Sequence, residues 1–233
     1  MLFVVDFDGT LSVGDTVDAM LERFADDRWQ DLEAEWLQGN ISAIDCMKQQ
    51  LDLVEVDQVT LENFFRGIQL DASFIPFHKY ISQFSKVAIV SDGLDHAIDV
   101  ATRNAAIPAM PIYANKLHFK PNGVSISYPF RNSNCKAGNG VCKCQIAEQL
   151  SADVGGPIVL VGDGKSDYCL AKHADIVFAK GKLITHCDQE NIPFRRFQTF
   201  AEILDVLKKS DLINQWNSAK KLPSGIPAKH QVA

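Results

Sequence analysis

Four short apolar runs do most to limit how this chain can fold: residues 2–5, 87–90, 158–161 and 176–179, most of them rich in valine and isoleucine. Runs of this length without polar alternation suit strands buried on both faces. Helical patterns lie among the later runs. Residues 94–104 follow the second, 144–150 lead into the third, and 168–173 follow it. Residues 199–209 carry Phe200, Ile203, Leu204 and Leu207 at the spacing of one helix face. Strands alternating with helices predict an α/β fold with a Rossmann-like parallel sheet covered on both sides.

Residues 13–75 break this rhythm. They hold no strand-like run, and Val17, Met20, Leu21 and Phe24 recur at helical spacing, a theme continued by Leu32, Trp36, Ile44, Met47 and Leu51. This predicts short helices inserted after the first strand as a smaller second domain. The expected division is an α/β core of 1–12 and 76–212, a helical unit of 13–75, and a tail of 213–233, where periodicity fades into Pro223-Ser224-Gly225-Ile226-Pro227. Residues 117–128 read as a hairpin around Pro121-Asn122-Gly123, and 132–144 as a Gly-, Asn- and Cys-rich loop.

Composition narrows the function classes. The 233 residues are 46% hydrophobic and 22% charged, with a formal net charge of −6, and no basic block offers a nucleic-acid footprint. No apolar stretch is long enough to span a bilayer, and Met1-Leu2-Phe3-Val4-Val5 lacks the basic start of a signal peptide, so a cytoplasmic protein is expected. In that setting Cys46, Cys135, Cys142, Cys144, Cys169 and Cys187 are expected as free thiols.

In an open parallel sheet, ligands bind outside the carboxyl ends of the strands. The first run ends in Asp6-Phe7-Asp8, the second in Ser91-Asp92-Gly93, and the third in Gly162-Asp163-Gly164-Lys165-Ser166-Asp167. If these strands are neighbours, several carboxylates and a hydroxyl converge. Their mutual repulsion calls for a cation. All-oxygen ligands without His or Cys suit Mg2+.

Asp6-Phe7-Asp8-Gly9-Thr10 resembles the first motif of the haloacid dehalogenase (HAD) superfamily. Ser91 matches its second motif, Lys143 its third, and Gly162-Asp163 with Asp167 its fourth, all in the family's order. The resemblance spans Met1 to about Lys209 and implies a HAD core with an α-helical cap. It also implies a Mg2+-dependent phosphomonoesterase acting on a small phosphorylated metabolite. Asp6 would form an aspartyl phosphate, and Asp8 would serve as acid and then base. Ser91, Asp92, Gly93 and Lys143 would surround the phosphate. Asp6, the Asp8 backbone carbonyl and Asp163 would hold the metal, with Asp167 supporting it.

The large cap resembles the phosphoserine-phosphatase-like branch. Within it, Gly39-Asn40-Ile41-Ser42 and the Cys-rich loop around Lys143 resemble the methionine-salvage phosphatases acting on 2-hydroxy-3-keto-5-methylthiopentenyl-1-phosphate. Phosphoserine, phosphoethanolamine and phosphocholine phosphatases share the branch. A phosphotransferase remains an alternative chemistry.

Some residues carry two readings. Lys143 stands at a helix start, while Lys136 and Lys165 compete for its role. Asp15 either meets a substrate ammonium or caps the first cap helix. Arg23, Arg28 and Arg66 are expected on solvated faces, and Lys165 toward solvent or the substrate entrance. Cys135, Cys142 and Cys144 form C-x6-C-x-C, unlike a usual zinc pair, so loop-packing thiols are expected over a zinc or redox module.

Overall fold

The computed structural model describes residues 1–121, 123–135 and 137–209. Asn122 of the expected turn, the competing Lys136, the last expected core residues 210–212 and the expected tail 213–233 lie outside the described residues.

The chain begins with β1 (Leu2–Val5) and a wide turn over Phe7–Leu11. Helices α1 (Thr16–Phe24), α2 (Trp29–Leu37), α3 (Ala43–Asp52), α4 (Gln58–Arg66) and α5 (Phe74–Ile81) follow. Next come β2 (Lys86–Leu94), α6 (Asp95–Asn104), β3 (Ile112–Lys120), β4 (Gly123–Ser127) and α7 (Lys143–Val154). The rest is β5 (Ile158–Gly162), α8 (Tyr168–Ala171), β6 (Ile176–Ala179), α9 (Gly181–Glu190), β7 (Arg195–Arg196) and α10 (Phe200–Lys209).

The strands form one sheet in the order β4-β3-β2-β1-β5-β6-β7. Only the β3–β4 pair is antiparallel. Val5 of β1 is flanked by Ile89 of β2 and Val161 of β5, so the three polar strand ends lie side by side. The chain passes from β1 toward β3 and then returns to β5 on the other flank. That reversal opens a crevice at the end of β1. Alternate β1 residues serve opposite layers: Phe3 and Val5 pack with α5 and α10, Leu2 and Val4 with α7, α8 and α9.

Helices α1, α3 and α4 begin where a side chain accepts backbone N–H groups. Asp15 accepts from Val17 (2.9 Å), Ser42 from Asp45 (3.1 Å) and Asp57 from Thr60 (2.9 Å). Such caps satisfy donors that the first turn leaves unpaired. The apolar faces of α1–α4 do not close on themselves. Leu21, Leu51, Val54 and Phe65 share a cluster with Leu94 and Ala97 at the start of α6 and with Leu117 and Val124 of the β3–β4 hairpin.

Several details depart from the expected pattern. The 75/76 division cuts through α5, whose Phe74, Phe77 and Ile81 belong to the sheet's own core. Strand β2 continues through Ser91-Asp92-Gly93, with a register shift between Val90 and Leu94. Strand β3 starts at Ile112, because the first arm of the hairpin also extends the sheet beside β2. Elements α9 and β7 had no separate expectation. Among the described residues, no helix is long and apolar enough to cross a membrane.

Candidate active site

Beyond β1 the chain bends at once. Asp6 Oδ1 accepts the Phe7 N–H at 2.8 Å, and the Ser12 N–H closes the wide turn on the Phe7 carbonyl at 2.9 Å. Gly9 has φ +67°, and a Cβ there would stand 2.6 Å from Asp163 Oδ2. A side chain would therefore meet both backbone strain and collision. Thr10 Oγ1 donates to Asp163 Oδ1 at 2.9 Å, and Lys180 Nζ donates to the Thr10 carbonyl at 3.0 Å.

Lys143, the first residue of α7, lies buried between two carboxylates. Its Nζ is 2.8 Å from Asp6 Oδ1 and 2.6 Å from Asp167 Oδ1. Burial alone would pull the ammonium down, but Asp167 and Asp6 more than offset it and hold its pKa above the usual lysine value. The other Asp167 oxygen accepts the Asp163 and Gly164 N–H groups at 3.1 and 3.2 Å, which fixes the loop after β5. Asp6 is pushed well above the carboxylate range by burial and by Asp167, against the pull of Lys143. Asp163 is raised by burial and again by Asp167.

Asp8 faces another way. Its Oδ1 accepts the Thr16 N–H at 2.9 Å as well as the Thr16 hydroxyl, while Ser91 Oγ lies 3.5 Å from Oδ2. Burial, then Asp15, raise Asp8 to about 7. Ser91 is fully buried, and its Oγ accepts the Gly93 N–H at 3.0 Å. A Cβ on Gly93 would collide with Asp8 Oδ2, so a side chain here would displace that carboxylate. Asp92 acts as a brace: its Oδ1 accepts from Val141 N (2.9 Å) and Asn115 Nδ2 (3.2 Å), tying β2 to β3 and to the loop before α7.

Asp6, Asp163 and Asp167 each offer a carboxylate oxygen, and these oxygens lie within 4.8 Å of one another. Three acids this close, with one lysine among them, leave negative charge unbalanced when ionised. The raised protonation of Asp6 and Asp163 expresses that conflict, and an all-oxygen donor set fits a hard cation such as Mg2+. The Asp8 carboxylate lies outside this trio.

The family model described as "Putative Phosphatase" matches residues 1–194. The chain belongs to this family. It is therefore a phosphatase, a phosphoric monoester hydrolase. Among curated relatives, a 2-hydroxy-3-keto-5-methylthiopentenyl-1-phosphate phosphatase from Exiguobacterium sibiricum is 30% identical over 214 residues, covering 89% of this chain and 96% of that protein. A phosphoserine phosphatase solved as a phospho-aspartyl intermediate analogue superposes with a TM-score of 0.65 at 21% identity, covering 89% of this chain and 97% of that one. A HAD family hydrolase from Salmonella enterica serovar Typhi gives 0.70 at 17% identity, covering 90% and 71%. The fold is thus that of the HAD phosphatases.

In this phosphatase the crevice continues into a larger space. A hollow of about 140 Å3 is lined by Asp6, Asp8, Ser91, Gly93 and Asp163. Val17, Met47, Asp92, Asp163, Gly164 and Ser166 line both it and a cavity of about 520 Å3 under the cap. Trp36, Leu37, Ile44 and Met47 make one wall of that cavity, and Asp15, Asp18 and Glu33 another edge. Lys165 Nζ sits 4.4 Å from the Trp36 ring centroid, clasping the loop after β5 to the cap.

The remaining candidates sort by contact. Asp15 caps α1 and also lines the cavity, so both of its readings keep a physical basis. Arg28 pairs with Asp26, Arg66 with Glu62, and Arg23 lies over Phe24, all away from the strand ends. Thr10 stood in the first motif without a role of its own, and Thr16, Asn115 and Lys180 were not singled out in the sequence. Thr16 holds Asp8, Asn115 holds Asp92, and Lys180 holds the Thr10 carbonyl beside Asp163, contacts that no motif spacing marks.

Proposed function

We propose that the phosphatase hydrolyses its ester through an aspartyl phosphate on Asp6, with Mg2+ held by Asp6, Asp163 and the Asp8 carbonyl and supported by Asp167. One observation carries this reading. Asp6 Oδ1 is engaged by the Phe7 N–H and Lys143 Nζ, which leaves Oδ2 free of hydrogen bonds among the described residues, and Asp6 lines the small hollow. Oδ2 attacks phosphorus and the phosphorus–ester oxygen bond breaks. The leaving oxygen takes the proton that Asp8, raised to about 7, still carries near neutrality. Water then attacks the aspartyl phosphate and gives a proton to Asp8. The bond to Asp6 breaks and inorganic phosphate departs. Lys143 and Ser91 meet the phosphoryl oxygens, and Mg2+ when bound supplies the charge neutralisation that phosphoryl transfer needs.

The named relatives and the apolar cavity wall support 2-hydroxy-3-keto-5-methylthiopentenyl-1-phosphate as substrate, its methylthio end lying against Trp36, Ile44 and Met47. A second reading rests on Asp15, Asp18 and Glu33. Burial, then Asp15 and Glu33, raise Asp18 to about 6, the mark of acids gathered at one edge, which would suit an amino-alcohol phosphate.

A panel of phosphorylated metabolites tests both readings, scored by kcat/KM with Mg2+ and with chelator. The enediol phosphate should lead, and Asp18→Asn should leave its turnover unchanged. Preference for phosphoethanolamine or phosphocholine, lost in Asp18→Asn, would select the second reading. Undiminished turnover in chelator would remove the metal from the mechanism.

A further inference from the structure

Outside the strand-end crevice, one group of side chains has the chemistry of a second metal centre. Cys144, Cys169 and His173 each offer a ligand atom, and these atoms lie within 4.8 Å of one another. We propose that Cys144, Cys169 and His173 bind a single Zn2+ ion that ties the start of α7 to α8 directly behind the catalytic crevice.

In the sequence, Cys135, Cys142 and Cys144 form a candidate zinc or redox set and are expected instead as loop-packing thiols. In the fold Cys135 and Cys142 stay beside one another, while Cys144 meets Cys169 and His173. Cys169 and His173 stand four residues apart at α8 and the turn after it, so both project from one face. Cys144 is the second residue of α7 and approaches from across the interface. Both cysteines are free of disulfides.

Two sulfurs and an imidazole are borderline-soft donors, the set that selects zinc over magnesium. Tetrahedral zinc with Zn–S near 2.3 Å and Zn–N near 2.0 Å places neighbouring ligand atoms about 3.5–3.8 Å apart, a contraction of at most about 1.3 Å from the geometry here. Two thiolates balance the charge of Zn2+, so a half-buried site carries no net charge. Each thiol releases its proton to solvent on binding. His173 is exposed and both cysteines are half-buried, so the ion can enter from solvent and water can complete its coordination.

The position gives the site a task. Cys144 follows Lys143, and Cys169 lies two residues after Asp167, so the ion would link the segments that carry the 2.6 Å Lys143–Asp167 pair. Zinc here is a rivet, separate from the all-oxygen trio.

The test is metal content of the full chain, purified without chelator and with thiols kept reduced. One zinc per chain is expected. Cys169→Ser and the exposed-site variant His173→Ala should each lower bound zinc at least about tenfold, while Cys135→Ser keeps it. Substitution with Co2+ should give thiolate-to-metal charge-transfer absorption that Cys144→Ser removes. Three results would overturn the proposal: no zinc after exposure to excess Zn2+; zinc retained in His173→Ala with Cys169→Ser but lost in Asp163→Asn; or two oxidised thiols at Cys144 and Cys169 without metal.

Discussion

The crevice at the end of β1 and the cavity under the cap adjoin, yet they are built on opposite principles. In the crevice nearly every polar atom is held by a short bond to another element: Asp6 to Lys143, Asp167 to Lys143 and two backbone N–H groups, Asp163 to Thr10. In the cavity, Trp36, Ile44 and Met47 belong to short helices whose apolar faces rest on a hairpin and on α6. Preorganised charge is what phosphoryl transfer requires, since dipoles fixed in advance need no reorganisation during the reaction. A wall of helical side chains can change its lining without disturbing that charge. The difference teaches that reaction type and substrate choice are separable here.

Substitutions on the two sides should therefore give different signatures. Asp6→Asn should lower kcat by at least about 1,000-fold. Its melting temperature should not fall, since one of three crowded acids is neutralised; measurable steady-state turnover near the wild-type rate would break the assignment. Lys143→Met strands two buried carboxylates and should cost about 3–5 kcal/mol of stability at neutral pH. Denaturant titration should show that loss shrinking in acid, as Asp6 takes up a proton.

Mg2+ should stabilise the fold by about 2.7 kcal/mol at a hundred times its Kd. The pH trend follows from Asp8, which rises to about 7 in the metal-free fold from an ordinary value of 3.8. A raised carboxylate adds stability that is complete below the unfolded pKa and lost as pH climbs through the folded one. The metal-free protein should thus weaken between about pH 4 and 7, and because Asp6 and Asp163 are raised in the same direction, the Mg2+-induced rise in melting temperature should grow with pH; a rise that falls with pH would contradict the crowded-acid account. Trp36→Ala should have the smallest effect. It removes a Lys165–Trp36 contact of about 0.5–1 kcal/mol, so KM for the natural substrate should rise a few-fold, with kcat on a small aryl phosphate nearly unchanged.

Much of the core was legible because buried strands announce themselves. Residues 2–5 and 176–179 coincide with β1 and β6, and each apolar run has nothing polar to obscure it. β3 was hidden in part because Asn115 and Lys116 interrupt its apolar pattern; Asn115 is buried against Asp92, a partner 23 residues away. α9 offers a narrow apolar face, chiefly Leu183 and Cys187, and its local signal is weak. The same limit applies to the site. Asp6, Asp8, Ser91, Lys143, Asp163 and Asp167 stood out by their places at strand and helix ends, but the brace role of Asp92 and the regrouping of Cys144 with Cys169 and His173 depend on residues far apart in the chain.

By itself the sequence marked the buried strands β1, β2, β5 and β6, the acids that stand at the ends of the first three, and a helical unit that interrupts the core after β1. Those properties follow from local hydrophobic pattern and turn chemistry. Only the tertiary structure decided that Lys143 bridges Asp6 and Asp167, that Asp8 turns to Thr16 and Ser91, and that the cap leans on the β3–β4 hairpin. The physical reason is range: a hydrogen bond or ion pair acts over about 3 Å, and which side chains come that close is settled by sheet order and helix packing rather than by their spacing along the chain.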